Sequence, residues 1–323
     1  MNTNVTIAPG TSVVTAGAAV QISDMTGAVD LGALPARFLQ HATAEGLAET
    51  PVPGVKMFRV DSQTPRAPCI YEPCVIVILQ GEKRGYFGTH AFEYGASTYT
   101  VFSVLIPMEA EIISASPEKP FLGLALSIDP AAIADLQMRI EDAPMPAPKA
   151  AGSIAVSPVD ATMSDALHRL VATFDHEPDA RVLGPMIVRE IFYRVLSEHK
   201  GIVLSAAASR HSHYHRICQL LRQLQEDCSV NYSTAEMASI ANMSKTSLHE
   251  SFKSITAMTP LQYLKSIRLH QARLLMLGEG MSASAAAYRV GYASASQFSR
   301  EFKRLFGLSP RLDMQREGVE PRA

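Results

Sequence analysis

Cysteine is scarce in this chain. Its 323 residues include four, too few at this length for a disulfide framework. Long apolar runs are absent as well. The longest strongly apolar stretch is about Val75–Leu79, far short of the ~20 residues a membrane-spanning helix needs. The opening residues, Met1-Asn-Thr-Asn-Val5, carry neither a basic leader nor a compact apolar segment, so no signal peptide is expected. These absences point to a reducing, cytoplasmic setting. Histidine is missing where a metal would need it. Between Pro51 and Pro130 there is one, His90, with Glu93 three residues on. One imidazole and one carboxylate cannot fill a metal site without further ligands. No metal, cofactor or catalytic residue is expected.

Charge is near balance overall but unevenly divided. Residues 1–210 hold 15 Lys and Arg against 22 Asp and Glu, a net of −7, whereas residues 211–323 hold 14 against 9, a net of +5. A basic final third on an acidic remainder fits a nucleic-acid module joined to something else.

That final third contains the most informative stretch, Ser294-Ala-Ser-Gln-Phe-Ser-Arg-Glu-Phe-Lys303 followed by Arg304-Leu-Phe-Gly-Leu-Ser-Pro310. Phe298, Phe302, Leu305 and Phe306 form the i, i+4, i+7, i+8 stripe of an amphipathic helix. The other face carries Ser296, Gln297, Ser299, Arg300, Lys303 and Arg304, hydrogen-bonding groups early and cations late. Gly307 supplies a helix stop, and Ser309-Pro310 starts the next helix. Fifty positions earlier, Ser244, Leu248, Phe252, Lys253 and Pro260 repeat Ser294, Phe298, Phe302, Lys303 and Pro310. A short helical segment precedes each copy: Ala235–Ala241, with Thr234 as its expected N-cap, and Ser284–Val290. Short helix, tight turn and second helix with a polar leading face is a helix-turn-helix pattern, and two copies read as a tandem DNA reader. Tyr214–Asp227 precedes them. Thr259-Pro260 opens a connecting helix to about Leu277, roughly 25 Å long at 1.5 Å per residue. It can hold two heads at a fixed separation beside major-groove faces that recur about every 34 Å.

On these residues, about 215–316 resemble the DNA-binding domain of the AraC/XylS family of bacterial transcription regulators, the stretch Gly291–Pro310 most closely. Exposed leading-face positions, supported by this resemblance, give Thr246, His249, Glu250, Ser296, Gln297 and Arg300 as base contacts. Arg300 suits guanine and Gln297 suits adenine. Lys245, Lys253, Lys303 and Arg304 are the expected phosphate contacts. Three positions depart from the family pattern. Glu250 stands where a cation is common and either accepts from cytosine or weakens the first head. Ala286 replaces a larger aliphatic residue. Asp313-Met314 replaces an aromatic–Arg pair.

Upstream, Val55–Val60, Cys74–Leu79, Arg84–His90, Ala91–Tyr94, Tyr99–Ile106, Glu109–Ala115 and Phe121–Ile128 read as short strands punctuated by Gly and Pro, the pattern of an all-β barrel or sandwich. Pro51-Val-Pro-Gly54, Tyr71-Glu-Pro73, Leu79-Gln-Gly-Glu-Lys83, Phe92-Glu-Tyr-Gly95 and Ala115–Pro120 resemble the cupin-like N-terminal domain of one subgroup of AraC-type regulators. The resemblance implies a regulatory, ligand-sensing barrel. Cys69 and Cys74 bracket the Ile-Tyr-Glu-Pro turn. They are either buried small residues or a sensing thiol pair, with Cys69 the better candidate. Asp160–Phe174 and Leu183–His199 are amphipathic helices in a region that commonly serves dimerisation in AraC-type regulators. His211-Ser-His-Tyr-His215 could bind metal only on a strand and reads as an exposed linker.

The expected fold class is α+β: an N-terminal cupin-like β-barrel, then helices, then an all-α domain with two helix-turn-helix units. The expected boundaries are a mobile tail at 1–48, in which Pro35 limits the helical period of Leu31–Ala42, the barrel at 49–140, a linker and helical segment at 141–210, the DNA-binding domain at 211–316 and a tail at 317–323. The expected function is a sequence-specific, non-enzymatic transcription regulator controlled by a small molecule of unknown identity. The alternatives are a ligand-independent regulator whose barrel only dimerises and a cupin enzyme carrying a DNA tether. Expected partners are double-stranded promoter or operator DNA, a second copy of the chain and RNA polymerase as a further candidate. There is no membrane partner, and the expected location is the cytoplasm, at the nucleoid.

Overall fold

A computed structural model describes residues 20–23, 25, 27–88, 90–140, 152–197, 203 and 213–316. The chain divides into two compact units, Met1–Arg66 with Tyr71–His215, and Arg216–Ala323 with Ala67–Ile70.

The first unit is built on two sheets. Its strands are β1 (Val20–Ile22), β2 (Gly46–Glu49), β3 (Val55–Val60), β4 (Thr64–Tyr71), β5 (Cys74–Gln80), β6 (Glu82–Phe87), β7 (His90–Gly95), β8 (Thr98–Phe102), β9 (Ile106–Ser114), β10 (Phe121–Ser127) and β11 (Ile154–Pro158). The larger sheet runs β1-β11-β8-β5-β10-β3-β2 and the smaller β4-β9-β6-β7. β1 and β11 are parallel. The mixed α+β class is as expected, but the barrel is not closed. Gly81, with φ of +84°, is the single residue between β5 and β6 and sends the chain from one sheet to the other. A Cβ there would meet the Ser114 carbonyl at 2.6 Å. The sheets are bridged by Tyr71 of β4, stacked on Phe102 of β8 at 4.2 Å between ring centroids.

The run Cys74–Leu79 is buried on both faces, as an unbroken β-branched strand should be. Val75, Val77 and Leu79 join Tyr99, Val101, Leu122, Leu124 and Leu126 in a core. Helices α1 (Leu34–Leu39), α3 (Ala161–Ala172) and α4 (Glu177–Ser197) complete it with Leu34, Phe38, Leu167, Leu170, Val171, Ile187 and Ile191. Helix α2 (Pro130–Arg139) starts on the Asp129 cap, whose side chain accepts from the Ala131 amide.

Four expectations change here. Residues 1–48 are not simply a tail: β1, α1 and β2 belong to the unit, and Leu34 and Phe38 are fully buried. Pro35 occupies the first turn of α1, where its missing N–H costs no hydrogen bond, so it starts the helix rather than breaking it. The segment 141–210, read as linker and helices without a strand, contains β11, inserted between β1 and β8, while 141–151 lie outside the described residues. The second amphipathic helix begins at Glu177 rather than Leu183 and accommodates Pro185. The tail at 317–323 also lies outside the described residues. Among the described residues, no helix is long and apolar enough to cross a membrane.

Candidate nucleic-acid interface

Apart from Ala67–Ile70 of β4, the described residues of the second unit are built on helices. Helices α5 (His213–Glu226), α6 (Thr234–Ile240), α7 (Lys245–Thr256), α8 (Pro260–Glu279), α9 (Ala283–Arg289), α10 (Ala295–Phe306) and α11 (Pro310–Arg316) follow in order. α8 has 20 residues, so it is about 30 Å long and links the two helix-turn-helix pairs, α6–α7 and α9–α10. Its start is a full capping box: Thr259 Oγ accepts from the Gln262 amide, and Gln262 reaches back to the Thr259 N–H.

In the first pair, Ser233 caps α6 in a capping box with Glu236. The expected cap, Thr234, is instead the first helical residue, because the Ser233 hydroxyl sits three residues before Glu236, as the box requires. The chain turns at Asn242 with φ of +48°, and Ser244 caps α7 by accepting from the Ser247 amide at 3.2 Å. In the second pair, Ser282 caps α9, Gly291 makes the turn at φ of +87°, and Ser294 caps α10. The reading helices match at an offset of 50, Ser244 with Ser294. The scaffold helices and turns match at 49, Ser233 with Ser282 and Asn242 with Gly291. The second turn is one residue longer.

Apolar stripes fix how each reading helix lies. Leu248, Phe252, Phe298 and Phe302 are fully buried, and each contributes about 1.5–3 kcal/mol. Phe252 meets Tyr263 of α8 edge-on at 5.4 Å. Phe298, Phe302 and Phe306 form a run, the last two with centroids 4.4 Å apart. With these faces down, Thr246, His249, Glu250, Ser296, Gln297 and Arg300 are exposed, as are Lys245, Lys253, Lys303 and Arg304. The spacing i, i+3, i+4 puts Thr246, His249 and Glu250 on one face. Ser296 and Arg300, four apart, share the corresponding face of α10.

The basic residues of this unit divide into two kinds. Arg268 is buried and donates to the carbonyls of Cys228, Ser229 and Val230 and to Asn231 Oδ1, fixing the loop before α6 on the central helix. Arg273 holds Asp313 through Nε at 2.6 Å. Asp313 is almost fully buried and also receives Arg316. Asp313 thus ties α11 to α8. Lys265 pairs with Glu301 at 2.9 Å. By contrast, among the described residues Lys245, Lys253, Arg300, Lys303 and Arg304 have no ion-pair partner. Cations left unneutralised on the exposed faces of two capped helices are available to phosphates and base edges.

Glu301 was not singled out in the sequence. It is 14% exposed and receives Lys265, the Tyr292 hydroxyl at 2.9 Å and Gln297 Nε2 at 3.2 Å. Burial would raise its pKa, but these donors outweigh burial and hold it below the usual value. The visible signal was the i, i+4 pair Gln297 and Glu301. Lys265, 36 residues away, was not inferable.

The expected sensing thiols separate. Cys69 lies in β4, partly exposed. Cys74 is buried, and burial, with the Glu72 charge adding, pushes its thiol up to about 12. It is held as a poorly nucleophilic thiol. Glu93 is engaged by Arg84 at 2.8 Å and His90 is exposed. His211 lies outside the described residues. His213 and His215 fall on a helix, where residues two apart do not face each other. Among the described residues no group of His, Cys, Asp and Glu could hold a metal ion.

A family model described as AraC-type transcriptional regulator N-terminus matches residues 51–203, and a helix-turn-helix domain model matches 237–316. The HTH-type transcriptional activator RhaS of Citrobacter koseri is 30% identical over 147 residues, covering 45% of this chain and 52% of the relative. RhaS of an Enterobacter species is 34% identical over 96 residues, covering 30% and 34%. The chain thus spans about half the length, or less, of the curated relatives it matches. Unsaturated fatty acid bound wild-type ToxT from Vibrio cholerae has a TM-score of 0.56 at 15% identity, covering 83% of this chain and 96% of that one, a likeness of fold. An AraC-type N-terminal domain followed by paired helix-turn-helix units places the chain in the AraC/XylS family of transcription regulators.

Proposed function

We propose that this chain is a sequence-specific DNA-binding transcription regulator whose N-terminal unit senses a small molecule. Its strongest support is the repeated unit itself: hydroxyl cap, exposed leading face, buried apolar stripe with a phenylalanine at its centre and an unneutralised late cation, once on α7 and once on α10. Thr246, His249, Glu250, Ser296, Gln297 and Arg300 read base edges, and Lys245, Lys253, Lys303 and Arg304 hold phosphates. Activation is the direction favoured by the RhaS relatives, which are named activators. ToxT carries an unsaturated fatty acid, which supports small-molecule control in a chain of this fold. The relatives are regulators, so the reading contains no catalytic step. It places residues 49–140 in sensing and 211–316 in DNA binding, in a protein of the cytoplasm and nucleoid, with RNA polymerase as a further partner.

The working form is a homodimer. Val182, Met186 and Tyr193 of α4 are 63%, 64% and 47% exposed, beside a groove of about 450 Å³ lined by Leu183, Ile187, Arg169 and Glu190 among others. The same face favours the second reading, in which the N-terminal unit only dimerises. In the first reading the ligand can shift the DNA-bound form only by its differential affinity for the two arrangements.

Selection of bound duplexes from a random pool by full-length protein at about 150 mM salt tests the reading, since weak phosphate binding is suppressed there. Two short enriched blocks one helical turn apart are expected. No enrichment, with or without added metabolites, would overturn it. Sedimentation of the protein with and without Met186→Glu checks the dimer, which this change should dissociate.

A further inference from the structure

We propose that Glu301 is a positioning residue that fixes the base preference of Gln297, committing the second reading head to adenine at that position. The inference rests on the assignment of Gln297 as a base contact.

Two glutamines occupy the same place in two helices. Gln262 and Gln297 are both the third residue after a hydroxyl cap, Thr259 and Ser294. Gln262 folds back, its Oε1 accepting from the Thr259 N–H at 3.0 Å and from the Thr259 hydroxyl at 3.0 Å. This is the usual capping-box use of Gln at that place, and it takes the amide off the exposed face. Gln297 turns the other way. Its backbone N–H donates to Ser294 Oγ at 3.3 Å, but its side-chain Nε2 donates to Glu301 Oε1 at 3.2 Å, one turn further along. The carboxylate draws the amide along the helix, away from the cap.

The acceptor is itself fixed. Lys265 of the central helix donates to Oε1 at 2.9 Å, and the Tyr292 hydroxyl, from the turn, donates to Oε2 at 2.9 Å. Both carboxylate oxygens are therefore held from outside α10. An ionised carboxylate only accepts, so the amide nitrogen, not the amide oxygen, must face Glu301. One N–H is used there. The second N–H and Oε1 remain, side by side, the donor and acceptor that adenine N7 and N6 require. Holding them in that order before DNA arrives removes the flipped amide and the folded-back rotamer from competition, and preorganisation of this kind sharpens binding by lowering its ordering cost. The first reading helix has Ser247 and Ser251 at the matching positions, so this arrangement belongs to the second head.

The test is a comparison of full-length variants on the selected duplex and on the same duplex with each single base replaced. Gln297→Ala should flatten preference at one adenine, by roughly five- to hundredfold. Glu301→Ala should flatten preference at the same adenine by about tenfold, within that range, and leave preference at the other positions unchanged. In the double variant, preference at that base should fall no further than in Gln297→Ala alone, the signature of a coupled pair. Glu301→Asp, which keeps the charge but withdraws the oxygen by one methylene, should reproduce the loss and serves if the alanine variant does not fold. Tyr292→Phe, which frees Oε2 but leaves Lys265 on Oε1, the oxygen that Gln297 uses, should lower the melting temperature and leave the adenine preference in place. A Glu301→Ala protein that binds all duplexes more weakly but keeps the adenine preference would overturn the proposal and make Glu301 a brace only. If Gln297→Ala itself flattens no base, the base-contact assignment falls, and this inference with it.

Discussion

In the first helix-turn-helix pair the chain turns at Asn242 and in the second at Gly291, both with positive φ. The first has one residue, Met243, before its cap at Ser244. The second has two, Tyr292 and Ala293, before Ser294. The extra residue brings the Tyr292 ring onto Phe298 at 5.4 Å and its hydroxyl onto Glu301. The reading faces differ in charge as well. Glu250 in α7 stands where α10 has Arg300. One scaffold therefore carries two heads of unequal quality: a braced, cationic second head and a plainer first head with an acid on its leading face. The shared features are caps and buried apolar stripes, which make a helix pair. The differing ones are surface and bracing residues, which decide what the pair reads.

The largest expected effect tests the apolar stripes. Phe252→Ala and Phe302→Ala should each destabilise the unit by about 3–5 kcal/mol in urea unfolding. Phe302 lies between Phe298 and Phe306, whereas Phe252 has Tyr263, so the second should cost more. A larger loss at Phe252 would reverse the ranking of the two heads. The turns come next. A Cβ on Gly291 would meet the Ser229 carbonyl at 2.2 Å in a left-handed conformation, so Gly291→Ala should cost about 2–4 kcal/mol. Asn242→Gly relieves a positive φ and should change stability by less than about 1 kcal/mol. Similar losses from both would show that the turns are equivalent after all.

How much of this contrast was visible beforehand follows from the range of each interaction. Phe298, Phe302, Leu248 and Phe252 announce their burial through a period contained within one helix. The caps at Ser244 and Ser294 are equally local. The offset of 49 for α6 and α9 was hidden beneath the stronger match at 50, since Ser, Phe and Lys identities lie in the reading helices. Asp313 looked like a missing family feature. Its role depends on Arg273, 40 residues away in sequence, and no local pattern reports that. The same holds for Lys265 and Glu301. In the first unit, Pro35 was weighed as a breaker because its position within the first turn of a helix was unknown, and β11 was lost because its five residues follow Pro- and Ala-rich sequence.

Leading-face substitutions should have smaller effects, and opposite ones in the two heads. Arg300→Ala should lose about 1–3 kcal/mol on the selected duplex and relax preference at one base. Glu250→Ala removes a negative charge from the face proposed to meet DNA, so overall affinity should hold or rise by less than about 1 kcal/mol. Titration of both variants against matched and mismatched duplexes checks this. If Glu250→Ala costs as much as Arg300→Ala and relaxes one position, the first head reads cytosine through its acid, and the two heads are equal partners of opposite charge.

The smallest effect concerns acid. His270 of α8 is buried and meets Phe306, the last residue of α10, edge-on at 5.2 Å. Burial, with the Arg273 charge adding, lowers its pKa from 6.5 to about 4. Between these values the unfolded chain takes a proton that the folded chain refuses. Stability from this group is therefore whole above about pH 6.5 and is lost progressively as pH falls toward 4, by about 1 kcal/mol or less at pH 6. The position matching Phe306 in the first pair is Thr256, whose hydroxyl bonds the Phe252 carbonyl at 2.8 Å and does not titrate. Mild acid should therefore loosen the second head before the first. Amide exchange read residue by residue should show α10 losing protection between pH 6.5 and 5.5 while α7 keeps it, and His270→Gln should abolish the difference. Equal loss in both helices, or a loss that persists in the Gln variant, would place the acid sensitivity elsewhere and remove His270 from what distinguishes the second head.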